Sequence, residues 1–288
     1  MPTKSANGIE IEYDTFGDAT SPPVLLIMGL GVQMTLWDPV FCQAIADRGY
    51  YVIRFDNRDI GLSTWFDDAG VSEIGDVMSG SATAPYSLVD MATDAADLLD
   101  ALGIESAHIV GASMGGMIAQ TFAIEFPSKT RTLTSIMSTT GDVAVGQPTP
   151  EALGALLDPP PTSRDEAIEA SVRTAKVIGS PGYPFDESRL RERAGSDYDR
   201  AFHPAGMARQ LAAVVSQPDR TSALQSVRVP TLVIHGADDP LVVPSGGSAT
   251  AAAVPGAKLM VVPGMGHDLP PALFGELADS LAEHFALA

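Results

Sequence analysis

Apolar residues along this chain fall into two alternating patterns. Short runs rich in Val, Ile and Leu, each closed by Gly, Pro or Asp, read as strands: IEIEYDTF, PVLLIMG, YYVIRFD, SAHIVGA, RTLTSIM, PTLVIHG and KLMVVPG. Between them the apolar positions recur at helical spacing. From Ser87 to Leu102, residues Leu88, Met91, Ala95, Leu98, Leu99 and Leu102 share one face, and from Met114 to Phe126 so do Met117, Ile118, Phe122 and Phe126. Leu273, Phe274, Leu277, Leu281 and Phe285 repeat the pattern at the end of the chain. Strand runs that are apolar throughout belong to sheets buried on both faces. The pattern therefore predicts an α/β fold with a mostly parallel central sheet flanked by helices.

The alternation stops near Thr139 and resumes near Val229. Between them DPPPTS and SPGYPF break regular structure, and two helical patterns appear, Ala167 to Ile178 and an interrupted one from Ser188 to Val215. This reads as a helical cap, residues 140–215, inserted into a core made of residues 1–139 and 216–288. A separate second domain fits less well, because the strands and helices after the insertion continue the same layer.

With 288 residues, 45% of them hydrophobic, the chain is long enough for a large core. A net charge of −19 argues against nucleic acid or an anionic membrane as partner, since both would repel it. A small-molecule substrate fits better. The cap segment carries 12 acidic and 9 basic residues, counted over 140–225, so most of the negative charge lies on the core. Cys42 is the single cysteine, which excludes intramolecular disulfides; within LWDPVFCQAIADRG it reads as a small buried hydrophobe on an amphipathic helix. The N-terminal stretch lacks the apolar core of a secretory signal, and no apolar run approaches the roughly 18 residues of a membrane span. These features lead to the expectation of a cytoplasmic protein without a transmembrane segment, of undetermined oligomeric state.

The chemistry begins at HIVGASMGGMIAQ, where an apolar strand ends in Gly111-Ala112-Ser113-Met114-Gly115 and a helix starts at once. A serine at the tip of so sharp a turn needs neighbours without Cβ atoms. About 0.2 chance matches to G-x-S-x-G are expected from this composition, so the context carries the reading. The bland alternative, Ser113 as an ordinary helix cap, leaves the downstream partners unexplained. A serine nucleophile needs a base oriented by an acid. Among five histidines only His267 sits in a glycine-rich loop, VVPGMGHDLP, between the last strand and the last helix. The acid falls between serine and histidine, after a strand, where VIHGADDPLV offers Asp238 and Asp239. Backbone N–H groups of Leu30, in Met28-Gly29-Leu30-Gly31, and of Met114 are the candidate oxyanion donors. MGLG is a poor dinucleotide motif because Met34 stands where a third glycine belongs, GASMGGM lacks the Lys-Ser/Thr of a phosphate loop, and His235 has no companion ligands for a metal. No cofactor and no metal are expected.

LLIMGLG, Asp56-Asn57-Arg58-Asp59-Ile60-Gly61-Leu62-Ser63, GASMGG, VPTLVIHGADDPLV and PGMGHDLP together resemble the α/β-hydrolase superfamily over nearly the whole chain. More narrowly the chain is similar to bacterial esterases of the aclacinomycin methylesterase type and to actinobacterial lipase or thioesterase-like homologues. The resemblance implies that Asp56 and Arg58 are scaffold, that H-G-x-x-D places the acid at Asp239, with Asp238 a solvent-facing turn residue, and that a serine rather than an aspartate nucleophile means acyl transfer. Met28 departs from the His-Gly of many relatives, leaving the backbone donors in place. The expected activity is hydrolysis of carboxylic esters of small to medium, mostly apolar substrates by Ser113, His267 and Asp239 through an acyl-enzyme. Met34, Trp37, Met265 and Leu269 are the candidate pocket walls. A thioesterase, a lactonase or a cofactor-free perhydrolase would keep the same residues, and a hydrolase-fold ligand receptor is the non-enzyme reading.

Overall fold

A computed structural model describes residues 2–288. Eight strands form one sheet: β1 (Thr3–Ala6), β2 (Ile9–Phe16), β3 (Pro23–Ile27), β4 (Tyr51–Phe55), β5 (Ala107–Ala112), β6 (Thr130–Ile136), β7 (Thr231–Gly236) and β8 (Lys258–Val262). Their spatial order is β1-β2-β4-β3-β5-β6-β7-β8. The β1/β2 and β2/β4 pairs are antiparallel and every later pair is parallel. The helices are α1 (Pro39–Ala46), α2 (Ile74–Ser79), α3 (Leu88–Ala101), α4 (Met114–Glu125), α5 (Pro150–Leu156), α6 (Arg164–Ile178), α7 (Glu187–Arg200), α8 (Pro204–Val215), α9 (Thr221–Leu224), α10 (Ser245–Ala253) and α11 (Phe274–Phe285).

The continuous apolar runs are explained by burial on both faces of the sheet. In β3, Leu25 and Ile27 join the core under α3 and α4, whereas Val24 and Leu26 face α1 and α11. Cys42 lies in the second of these cores, and burial pushes its thiol up to about 12. A thiol held that far from ionisation is no nucleophile at neutral pH.

The strands read from the pattern are all present, and β1 adds an eighth. Its four residues, TKSA, are mostly exposed at the sheet edge and carry no apolar alternation to betray them. Likewise α10, SGGSATAAA, has almost no amphipathic contrast, and α2, α5 and α9 are too short to show a period. The long helical pattern after Ser188 is two helices, broken at Ala201–His203 ahead of Pro204.

Between β6 and β7 the chain leaves the sheet to build α5 to α8. Two buried ion pairs seat α7 and α8 on the loop after β4. Arg200 of α7 meets Asp56 at 2.7 Å, and Arg209 of α8 grips Asp59 with Nε at 2.9 Å and Nη2 at 2.7 Å. Arg58 of the same loop pairs with Asp94 of α3 at 2.6 and 2.7 Å. Removing either member of such a pair strands a charge in a water-poor site, so this loop holds α7 and α8 in place. No described helix is long and apolar enough to cross a membrane.

Candidate active site

The parallel strands bring their C-terminal ends to one edge of the sheet, and there the loops after β3, β5, β7 and β8 meet. Ser113 sits between β5 and α4 with φ 57° and ψ −122°, left-handed space that costs a side-chain-bearing residue about 1–3 kcal/mol. The surrounding glycines are required by contact. A Cβ on Gly111 would stand 1.9 Å from the Gly115 carbonyl oxygen, and one on Gly115 would stand 2.1 Å from that of Ile27. The turn is tied down by the Ser113 N–H, which donates to Ile136 O at 2.9 Å, and by the Ser138 hydroxyl, which donates to Ser113 O at 2.8 Å. Ser113 precedes α4 but its side chain makes no capping bond.

That hydroxyl is turned instead toward His267: Ser113 Oγ and His267 Nε2 are 2.9 Å apart, and His267 Nδ1 lies 2.8 Å from Asp239 Oδ2. Asp239 is buried after β7, and its Oδ1 accepts the N–H groups of Leu241 and Val242, each at 2.9 Å. With one oxygen filled by two backbone donors, the other is free to accept from Nδ1, leaving Nε2 as the acceptor for the serine proton. The neighbouring Asp238 is exposed and accepts the Gly264 N–H at 2.9 Å, a turn contact away from the imidazole.

His235 is held apart from this chain of contacts. Burial depresses its pKa, its Nε2–H donates to Val242 O at 2.7 Å, and its nearest approach to Asp239 is 3.6 Å. Among the described residues its Nδ1 has no hydrogen-bond partner, and it faces the position a Cβ on Gly247 would occupy, at 2.4 Å. A neutral ring in this position adds no competing cation beside Asp239.

The loop that carries His267 is stitched to the cap. Its N–H donates to Ile178 O at the end of α6 at 2.7 Å, the Gly266 N–H donates to Ser180 Oγ at 2.9 Å, and the Gly182 N–H donates to Gly264 O at 2.9 Å. Backbones approach so closely that a Cβ on Gly266 would come within 2.2 Å of Gly179 O. The glycines of PGMGH are thus needed for contact with the cap as well as for the turn.

Opposite the histidine, Met28-Gly29-Leu30-Gly31 leaves β3 beside the serine, and a Cβ on Gly29 would lie 3.1 Å from that of Ser113. Met28 O accepts from Asn57 Nδ2 at 2.8 Å, and the Gly31 N–H donates to Gln210 Oε1 at 2.9 Å. Met114 opens α4, so its N–H has no helical carbonyl a turn earlier to meet. The positive end of the α4 dipole points at the same place.

The candidate wall residues divide. Trp37 and Met265 are fully buried in the core under α1 and α11, with Trp37 stacked on Phe41, and Leu269 packs on the edge of that core. Met34 is also fully buried, its N–H held by Asp56 Oδ1 at 2.8 Å. Trp37, Met34 and Met265 are all enclosed by protein, whereas Leu269 keeps part of its surface open. Leu30, Met114 and Met117 belong, with Ala213 and Val214 of α8, to the core that also holds the buried faces of α3 and α4. Gln210 is a single amide in a helix, Asn57 a single amide in a loop and Ser180 a single hydroxyl in a glycine-proline turn, and none of them carries a sequence pattern that marks its contact.

Comparison with known proteins places this geometry in context. A model of the alpha/beta hydrolase fold family matches residues 22–270. Over 99% of this chain and 98% of its own length, a rhodomycin D methylesterase of Streptomyces sp. (strain C5) is 29% identical. A 3-oxoadipate enol-lactonase of Acinetobacter baylyi is 27% identical over 83% of this chain and 79% of that protein. Among solved structures, a meta-cleavage product hydrolase from Pseudomonas fluorescens superposes with a TM-score of 0.75, at 21% identity, over 99% of this chain and 97% of that one.

Proposed function

The chain belongs to the alpha/beta hydrolase fold family, and on that premise we propose that it is a serine hydrolase that cleaves carboxylic esters of small to medium, mostly apolar substrates. The observation that carries the reading is the unbroken run of contacts from Ser113 Oγ through His267 to Asp239, at 2.9 and 2.8 Å, with the serine held in left-handed backbone. Ser113 attacks the ester carbonyl while its proton passes to His267 Nε2, and the carbonyl electrons move onto oxygen. The N–H groups of Leu30 and Met114 receive that oxyanion, each such donor being worth about two to three orders of magnitude in rate. Collapse expels the alcohol, protonated by His267, and leaves an acyl-Ser113 ester. Water, deprotonated by the same imidazole, then releases the acid. Asp239 keeps the proton on Nδ1 and stabilises the imidazolium formed at each attack.

End-to-end similarity to a methylesterase supports an ester with a small alcohol, and the apolar side chains of Leu30 and Met114, next in the chain to Gly29 and Ser113 where these approach each other, support an apolar acyl portion. A lactone, in which the leaving alcohol stays attached to the acyl group, requires no different residue, and the similarity to an enol-lactonase keeps that substrate class in view. A fluorophosphonate probe is expected to label the parent at Ser113 and to leave Ser113→Ala unlabelled. Hydrolysis of p-nitrophenyl esters by Ser113→Ala at the parent rate would overturn the proposal.

A further inference from the structure

We propose that Gln210, in the middle of cap helix α8, is a positioning residue for the oxyanion loop, so that the seated cap is a condition of transition-state stabilisation. The inference rests on the serine-hydrolase reading above and extends it to a residue outside the triad.

Gln210 is fully buried, and both ends of its amide are spent. Oε1 accepts the Gly31 N–H at 2.9 Å and Nε2 donates to Arg58 O at 2.8 Å. The partners leave the amide one orientation, since the N–H must face an oxygen and the carbonyl must face an N–H. Leu30 lies between two anchored peptide groups. On one side Met28 O is held by Asn57 Nδ2, and on the other the Gly31 N–H is held by Gln210. Gly31 has φ 71°, and its open side is filled by Met207 of α8, whose Cγ a Cβ there would meet at 2.7 Å. With glycines at 29 and 31 the loop has little stiffness of its own, so these two amides define the direction of the Leu30 N–H. Asn57 belongs to the core, whereas Gln210 belongs to the cap. Displacing α8 therefore releases one of the two anchors, and α8 is itself seated by the neighbouring Arg209–Asp59 pair.

The test compares Gln210→Met, which keeps length and apolar volume but neither hydrogen bond, with Gln210→Glu, which keeps an acceptor opposite Gly31. Thr35→Val serves as control: it removes another cap–core hydrogen bond, from Thr35 Oγ1 to Asp197 Oδ1 at 2.6 Å, away from the oxyanion loop. Rates are taken per active site titrated with the fluorophosphonate, so that unfolded protein does not count. A trifluoromethyl ketone, which forms a tetrahedral adduct on Ser113 with its oxygen in the oxyanion position, reports transition-state binding.

For Gln210→Met, kcat is expected to fall about 10- to 100-fold with KM within about 3-fold, and ketone affinity to weaken by the same factor as kcat/KM. Gln210→Glu, which also serves if the methionine variant does not fold, is expected to lose less. Thr35→Val is expected to keep parental kcat and ketone affinity. If the Gln210 variants match the parent in kcat and ketone affinity per titrated site, or if Thr35→Val loses as much as they do, the proposal is overturned. A parent that takes no label while Ser113→Ala still hydrolyses ester overturns the serine mechanism instead, a separate outcome.

Discussion

Exchanging Asp239 for Asn tests the assignment of the acid most sharply, because the geometry dictates how the amide must sit. The position is 2% exposed, with two backbone N–H groups aimed at Oδ1 and the imidazole against Oδ2. An asparagine can place its oxygen toward Leu241 and Val242 or toward His267. The second choice abandons two buried N–H groups, each costing about 1–3 kcal/mol, and sets an NH2 against them. The first choice wins and turns the NH2 toward Nδ1. His267 must then carry its proton on Nε2, where it faces the serine hydroxyl and cannot accept from it. The expected loss in kcat is about 10⁴-fold, or about 5.5 kcal/mol, with folding intact. Asp238→Asn changes only an exposed contact to the Gly264 N–H, and its kcat should stay within about 3-fold of the parent. Initial rates on a p-nitrophenyl ester, with circular dichroism melting of both variants, decide the matter. Equal losses in the two variants, or a kcat within 10-fold of the parent for Asp239→Asn, would refute the reasoning.

Two further outcomes follow from packing and burial. Gly115→Ala places a Cβ 2.1 Å from Ile27 O and 2.7 Å from Met28 O, both backbone, so neither can yield without moving the loop of residues 28–31; a loss of about 3 kcal/mol or more is expected in urea melts, along with activity. Burial beside Tyr50 and Phe285 pulls His108 from the ordinary 6.5 down to about 4, so the folded state resists a proton that the unfolded chain accepts. Its contribution is complete above pH 6.5 and is lost as pH falls toward 4, by up to about 3 kcal/mol. His235 and His284, lowered by burial as well, act in the same direction. Urea melts at pH 7 and pH 5 should show this loss in the parent and a smaller one in His108→Asn; equal pH dependence in the two would count against it.

Much of this molecule is legible in its linear sequence, and the reason is local. Runs such as PVLLI and TLVIHG announce strands buried on both faces, and the first glycine of G-A-S-M-G announces a sharp turn, because its contact with Gly115 acts between residues close in the chain, while Gly115 answers to the distant Ile27. The order of serine, aspartate and histidine could be set out in the same way, one polar group after each strand end. What the chain by itself left undetermined depends on residues far apart in it. Where Trp37 packs turns on where α1 lies, and the fold sets it against Phe41. Gly266 looked like a loop residue until the strap at 178–180 lay across it. Gln210 had no signal at all: its two partners are 179 and 152 residues away, and only the seating of the cap brings them to its amide. Local steric demands leave a mark on neighbouring residue types, whereas a hydrogen bond across the fold can be made by any amide that tertiary packing delivers to the right place.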